Sequence, residues 1–441
     1  MHTLEQLRSG ALAGARHLKL AAGLTEFPRE IFALADSLEI LDLSGNRLAA
    51  LPDDLPRLHR LRVLFCSGNP FEVLPAVLGA CPRLEMIGFK SCRLRSVPEA
   101  SLPPGLRWLI LTDNRIETLP ARIGRCARLQ KLALAGNRLV RLPPEMAACT
   151  GLELLRISAN RLEALPDWLP ALPRLTWLAY AGNPFCAELD AAWQQRACAR
   201  PVAWRDVALE RVLGEGASGV IHRAEWRADG VRRDVAVKLF KGAVTSDGLP
   251  LNELAACLGA GAHPHLIPVL GRLADHPDGT DGLVMALIDP AFRPLAGPPS
   301  LDSCTRDVYT AEARFTPAGV LRIARAIAAA AAHLHGRGIL HGDLYAHNIL
   351  HGGEGRALLG DFGAASFFAP DGVHAPRLAR VEVRAFGCLL EELLERWPAD
   401  AAAHPAVAPL RALQARCCAP APEARPGFAE LVVALDALDA G

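Results

Sequence analysis

From Leu38 to Phe185 the chain repeats itself about every 23 residues, and a period of that length confines it to supersecondary units stacked in a row. The pattern is Leu-x-x-Leu-x-Leu-x-x-Asn-x-Leu. It begins at Leu38, Leu61, Leu84, Leu106, Leu129, Leu152 and Leu175, with Asn46, Asn69, Cys92, Asn114, Asn137, Asn160 and Asn183 at the Asn position. A shorter unit over Leu18 to Pro28 precedes these seven, as expected of a terminal unit that stacks on one side only. The Leu-x-Leu alternation predicts one short strand per unit, its leucines inward and the intervening residues on a concave face. Asn suits the bend that leaves each strand, because its amide can bond neighbouring backbone. The Leu-Pro steps Leu51-Pro52, Leu119-Pro120, Leu142-Pro143 and Leu165-Pro166 then turn the chain into the convex side.

These residues resemble the leucine-rich-repeat family over about residues 11–186. The resemblance implies an α/β solenoid that binds another protein on its concave face, where Phe65, Trp108 and Trp177 are the expected anchors. The partner itself is not legible. Charge does not point to nucleic acid or an anionic membrane, since 48 basic residues balance 47 acidic ones. No run of about 18 uncharged apolar residues occurs, and the first twenty residues lack an apolar core with a cleavage site. The twelve cysteines show no paired metal spacing and read as reduced thiols. A soluble, cytoplasmic protein is expected.

After Cys186 the repeat stops, and residues 187–204 read as a cap and linker. Gly214, Gly216 and Gly219 then stand at GxGxxG spacing, a weak signal alone. A dinucleotide loop would run on into a helix, whereas Val220 to Trp226 alternates like a returning strand, giving a glycine-rich hairpin. Next comes Asp234-Val-Ala-Val-Lys-Leu-Phe240, with Lys238 on a strand. From here the chain resembles the protein-kinase family over residues 205–441. In that resemblance Glu253 pairs with Lys238, and Leu283-Val-Met-Ala286 leads to the hinge, with Met285 as gatekeeper. Ile221, Ala236, Met285 and Leu350 form the adenine walls. His341-Gly-Asp-Leu-Tyr-Ala-His-Asn348 resembles the catalytic loop: Asp343 takes the acceptor proton, while Asn348 and Asp361 of Asp361-Phe-Gly363 hold Mg2+ on the phosphates of ATP. Glu382 to Gly387 is expected to start the large central helix, and Asp371 to pair with Arg425.

Three departures from the family pattern qualify the resemblance. Gly342 replaces the arginine before the catalytic aspartate, so the loop is of the non-RD type and has no cation for a loop phosphate to neutralise. Tyr345 replaces a lysine. The stretch from Asp361 to Glu382 is short and its peptide-docking element is reduced to Ala369-Pro-Asp371. The expectation is therefore a multidomain chain: residues 1–186 form an α/β leucine-rich-repeat solenoid, and residues 205–441 an α+β bilobal protein-kinase-like fold. Its resemblance is to leucine-rich-repeat kinases of the bacterial type, which implies phosphoryl transfer from Mg-ATP to protein Ser/Thr or to the chain itself. Two alternatives remain open, a small-molecule phosphotransferase and a pseudokinase scaffold.

Overall fold

The computed structural model describes residues 2–439 except 198–200, 217, 229, 243, 246, 399, 400 and 402, so Ala217 of the glycine-rich run lies outside the described residues. The chain divides into two compact units, Met1–Leu172 with Asn183–Phe185 and Pro173–Gly182 with Cys186–Gly441.

The first unit opens with helix α1 (Leu4–Arg8), started by a capping box in which Thr3 and Gln6 each bond the other's backbone N–H. Seven three-residue strands follow: β1 (His17–Lys19), β2 (Ile40–Asp42), β3 (Val63–Phe65), β4 (Met86–Gly88), β5 (Trp108–Ile110), β6 (Lys131–Ala133) and β7 (Leu154–Arg156). They pair in parallel in chain order. The middle residue of each strand, from Leu18 to Leu155, is fully buried, as the alternation predicts. On the other side 3-10 turns such as Ala76–Ala80, Ala121–Arg125 and Pro144–Ala148 begin directly after Pro75, Pro120 and Pro143. Proline's fixed φ and missing N–H suit the first position of such a turn. Asn137 shows what the repeated asparagine does: Nδ2 donates to the Leu111 and Leu134 carbonyls at 2.8 and 2.9 Å, and Oδ1 accepts from Ile116 N–H at 3.1 Å. One side chain thus satisfies three buried backbone groups in adjoining repeats. Cys92 offers only a thiol, to the carbonyls of Cys66 at 3.5 Å and Lys90 at 3.7 Å.

The second unit begins with β8 (Trp177–Ala179) and helix α2 (Ala187–Ala197). Packing thus groups Pro173–Gly182 with this unit although the repeat pattern runs on to Cys186. A six-stranded sheet comprises β9 (Pro201–Ala203), β10 (Val207–Glu215), β11 (Gly219–Ala228), β12 (Val231–Phe240), β13 (Val269–Ala274) and β14 (Gly282–Ala286). Its order is β10-β11-β12-β14-β13-β9, antiparallel except where β9 meets β13. Val235, Val237, Leu273 and Val284 fill its core, and α3 (Pro250–Ala260) connects β12 to β13. The remaining part is helical: α4 (Pro317–Gly336), α5 (Ala375–Glu395), α6 (Val407–Cys417) and α7 (Phe428–Asp439). Two small sheets sit with it, β15 (Arg293–Pro294) with β17 (Ile349–His351) and β18 (Ala357–Leu359), and β16 (Ile339–Leu340) with β19 (Ser366–Phe367).

The loop 341–348 is anchored from beneath by α5. Glu382 Oε1 accepts the Gly342 N–H at 2.7 Å, its Oε2 pairs with His335 Nε2 at 2.7 Å, and His341 Nε2 bonds the Gly360 carbonyl at 2.8 Å. Burial works to protonate Glu382, but His335, His341 and the Gly342 N–H outweigh it and hold the carboxyl below its usual range. Gly342 itself has φ +73°, and a Cβ there would lie 2.4 Å from the Ala364 carbonyl oxygen and 2.8 Å from that of Leu178. Both the left-handed backbone and the close approach demand glycine.

Three expectations need correction. Helix α5 starts at Ala375, well before Glu382, which sits inside it and serves as the loop's anchor. Arg425 is buried and donates to the carbonyls of Ala419, Arg380 and Pro173 rather than to Asp371, which is exposed. Trp177 offers no anchor to a partner. It is 2% exposed, its ring lies 4.1 Å from that of Tyr345 with 8° between their planes, and Nε1 donates to the Leu344 carbonyl at 3.1 Å. The tryptophan's polar and apolar surfaces are both taken up within its own unit.

Replacing Asn137 by Ala should lower stability by about 1–3 kcal/mol through the buried groups left unbonded, read as a lower urea midpoint by circular dichroism. Gly342→Ala should cost about 1–3 kcal/mol in backbone strain alone, with more from the carbonyl contacts, and appear as a lower melting temperature of the full chain.

Candidate functional site

A cavity of about 500 Å3 opens beneath the six-stranded sheet of the second unit. Its apolar walls include Ile221 on β11, Ala236 on β12, Met285 on β14 and Leu350 on β17, four positions that the sequence assigned to an adenine slot. Backbone 286–288 borders it directly after β14. A flat heterocycle would be enclosed by these side chains, with backbone groups along one edge for orientation. Residues unnoticed in the sequence also line it, among them Cys257 on α3, Ile267, Val269 and Phe292. Nothing but their hydrophobicity distinguished them from ordinary core. Burial pushes the Cys257 thiol well up, so it acts as an apolar wall.

At the deep end Lys238 donates to Glu253 across the gap between β12 and α3. Alternation along β12 aims Lys238 into the cavity, and Glu253 comes from the first turn of α3, whose Pro250 sets the helix start. The residues are 8% and 2% exposed. Burial works against the ammonium, but Glu253 and Asp361 outweigh it and raise the Lys238 pKa above its ordinary value. A fixed positive charge thus stands at the end of the slot.

A smaller cavity of about 100 Å3 adjoins, lined by Gly216, Gly219, Lys238, Asp343 and Asp361 together with Ser218, Thr245 and Asp247. Gly219 must be glycine, because a Cβ would lie 2.4 Å from the Leu239 carbonyl oxygen. Gly214 and Gly216 face open space, and Gly214 lines neither cavity. Asp361 has φ +55°, a left-handed conformation that aspartate tolerates, and its Oδ1 accepts the Gly363 N–H at 3.2 Å. Asn348 Nδ2 donates to both the carbonyl and Oδ2 of Asp343, each at 2.9 Å. The sequence-derived residues therefore converge, except Gly214.

Oxygen donors alone are in play for a metal here: the Asp361 carboxylate and Asn348 Oδ1, the latter left for a cation because Nδ2 is committed to Asp343. That donor set fits Mg2+, which binds through one or two carboxylates plus phosphate oxygens. Among the described residues no cluster of three or more His, Cys, Asp or Glu could hold a metal by itself. One further constraint was missed in sequence. His347 pairs through Nδ1 with Asp307 Oδ1 at 2.7 Å, and Asp307 Oδ2 accepts the His347 N–H at 2.9 Å. Burial opposes its charge, but Asp307, Asp343 and Asp361 prevail and raise its pKa.

Comparison with known proteins finds matches in both halves of the chain. The family model described as protein tyrosine and serine/threonine kinase covers residues 207–374, and leucine-rich-repeat models cover 37–58 and 127–185. Human PH domain leucine-rich repeat-containing protein phosphatase 1 is 35% identical over 107 residues, 23% of this chain and 6% of that protein. Cyclin-dependent kinase D-1 of Arabidopsis thaliana is 27% identical over 210 residues, 42% of this chain and 48% of its own length. Serine/threonine-protein kinase PITSLRE of Drosophila melanogaster is 26% identical over 207 residues, 42% of this chain and 21% of that protein. The chain thus spans less than half the length of each of these relatives. With repeats over residues 37–185 and the kinase match over 207–374, the chain is a leucine-rich-repeat protein fused to a protein kinase domain.

Proposed function

We propose that the chain transfers the γ-phosphoryl group of Mg-ATP to a protein hydroxyl, on serine or threonine or on the chain itself. The buried Lys238–Glu253 pair at the end of the nucleotide-sized cavity carries this reading, because a paired lysine there has no packing purpose that a hydrophobic residue would not serve better. Adenine would lie between Ile221, Ala236, Met285 and Leu350, and Lys238 would hold the phosphates beside Gly216, Ser218 and Gly219. Bound Mg2+ would neutralise charge on the transferring phosphates. Asp361 and Asn348 are the groups that would hold it. Asp343, oriented by Asn348, aligns the acceptor hydroxyl and takes its proton as the new O–P bond forms and ADP departs.

The solenoid then serves recognition, with Phe65 and the Trp108 ring, which Lys131 Nζ covers at 4.2 Å, as its half-buried concave groups. Serine/threonine preference is supported by PITSLRE, a relative named as a serine/threonine kinase, although the matching family includes tyrosine kinases. A cytoplasmic setting is supported by free thiols at all described cysteines, and no described helix is long and apolar enough to cross a membrane.

A second reading, transfer to a small hydroxyl compound, draws on one observation: Ser366 and Phe367, in the short stretch after Asp361, are buried and form no open platform for a peptide. Labelled phosphate from ATP, offered with serine/threonine peptides and with small alcohols, separates the two.

With the preferred acceptor, Lys238→Met and Asp361→Ala should each cut turnover by about 100-fold or more, with an unchanged circular dichroism spectrum. Wild-type rates in both would count against this site. Mg-ATP should also raise the melting temperature of wild type, and Asp361→Ala should lose most of that shift.

A further inference from the structure

Residues 173–182 and 186–197 lie outside the stretch matched to kinases, yet they touch three parts on which phosphoryl transfer depends. Resting on the kinase reading, we propose that this segment is a built-in clamp replacing loop phosphorylation, with Trp177, Tyr180 and Trp193 as positioning residues.

The first part is the loop carrying Asp343. Trp177 stacks on Tyr345 and bonds the Leu344 carbonyl, so the two residues after Asp343 are held by one indole. The second is the stretch after Asp361. Tyr180 N–H donates to Ser366 Oγ at 3.0 Å and its hydroxyl donates to the Phe367 carbonyl at 3.0 Å. The third is α3, which carries Glu253. The Trp193 ring stacks on Phe367 at 5.0 Å and 10°, and lies so close to α3 that a Cβ on Gly259 would meet it at 2.3 Å. Next to it Gln194 donates to Asn252 Oδ1 at 2.8 Å, one residue before Glu253. The clamp's own backbone is fixed by Arg425 on the Pro173 carbonyl at 2.7 Å and Arg384 on that of Arg174 at 3.3 Å.

In a kinase switched by phosphate, the Lys–Glu pair and the metal-binding aspartate come into place when a loop phosphate meets an arginine beside the catalytic aspartate. Neither half of that switch exists here. At Gly342 the Leu178 carbonyl, part of the clamp, occupies the space any Cβ would need. Between Asp361 and Arg380 the one hydroxyl is Ser366, fully buried and bonded to Tyr180. The contacts a phosphate would create are supplied by aromatic rings and backbone bonds already in the chain.

The test uses full-length protein: wild type, Trp177→Ala, and Trp177→Phe, which keeps a ring on Tyr345 but loses the bond to Leu344. Amide exchange of segments 341–348 and 364–368 is measured with Mg-ATP affinity and phosphate transfer. Trp177→Ala should exchange about tenfold faster or more in both segments. Its turnover should fall about tenfold or more while ATP affinity stays within about twofold, with intermediate values for Trp177→Phe. Phosphatase treatment should leave the wild-type rate unchanged. Unchanged exchange in the variants, faster exchange at wild-type turnover, or a tenfold loss after phosphatase would each overturn the clamp. Should Trp177→Ala not fold, Trp177→Phe and Tyr180→Phe decide by the same readouts. If wild type transfers no phosphate to any acceptor, the kinase reading fails, and exchange alone judges whether the clamp positions these segments.

Discussion

The loop that carries Asp343 is referred to one backbone position, Gly342, whose N–H is held by the buried carboxylate of Glu382 and where the carbonyls of Ala364 and Leu178 leave no room for a Cβ. A left-handed glycine at that spot brings the loop with Asp343, the stretch after Asp361 and strand β8 within a few ångströms of each other. Each of those three pieces is irregular or short, and none would hold its shape alone. Burying a charged anchor among them is tolerated because every oxygen of Glu382 has a partner, from His335 and from Gly342.

The end of the larger cavity at Lys238 is built differently. Lys238 and Glu253 are both removed from water, and such a pair adds little net stability over a hydrophobic replacement. Its geometry is one of preorganisation, a positive charge held in position in a largely dry slot. Apolar walls on four strands supply shape, while the charges cluster where the slot meets the smaller cavity around Asp343 and Asp361. Separation of an apolar end from a charged end is what a nucleotide, itself apolar at one end and anionic at the other, requires.

How much of this was legible depended on how locally the information is encoded. The repeat could be read because each strand needs its inward leucines and each bend its asparagine, whatever the neighbours are; that the Asn137 amide bonds backbone follows from the pattern, and the structure gives its three partners. Lys238, Glu253, Asp343, Asn348 and Asp361 were legible by another route, because short motifs in the order of the protein-kinase family carry them, and the fold brings these five side chains to one end of the cavity. Glu382 was placed at a helix start and proved to lie inside α5, because a helix boundary shifts with packing that spacing does not record. Asp307, the partner of His347, stands forty residues away in an irregular stretch and carried no pattern at all.

Trp177 marks the division most clearly. Its position in the repeat makes it a concave-face residue, and from sequence a large aromatic there looks available for binding. Whether an aromatic ring faces solvent is decided by what the rest of the chain lays over it, here Tyr345, from a loop 168 residues further along. By itself the sequence determined the two folds, which rest on local periodicity and motif order, and it named the candidate residues of the site. Only the tertiary structure decided that Pro173–Gly182 packs with the second unit, because stacking, carbonyl contacts and the demand for glycine at 342 arise between residues far apart in the chain.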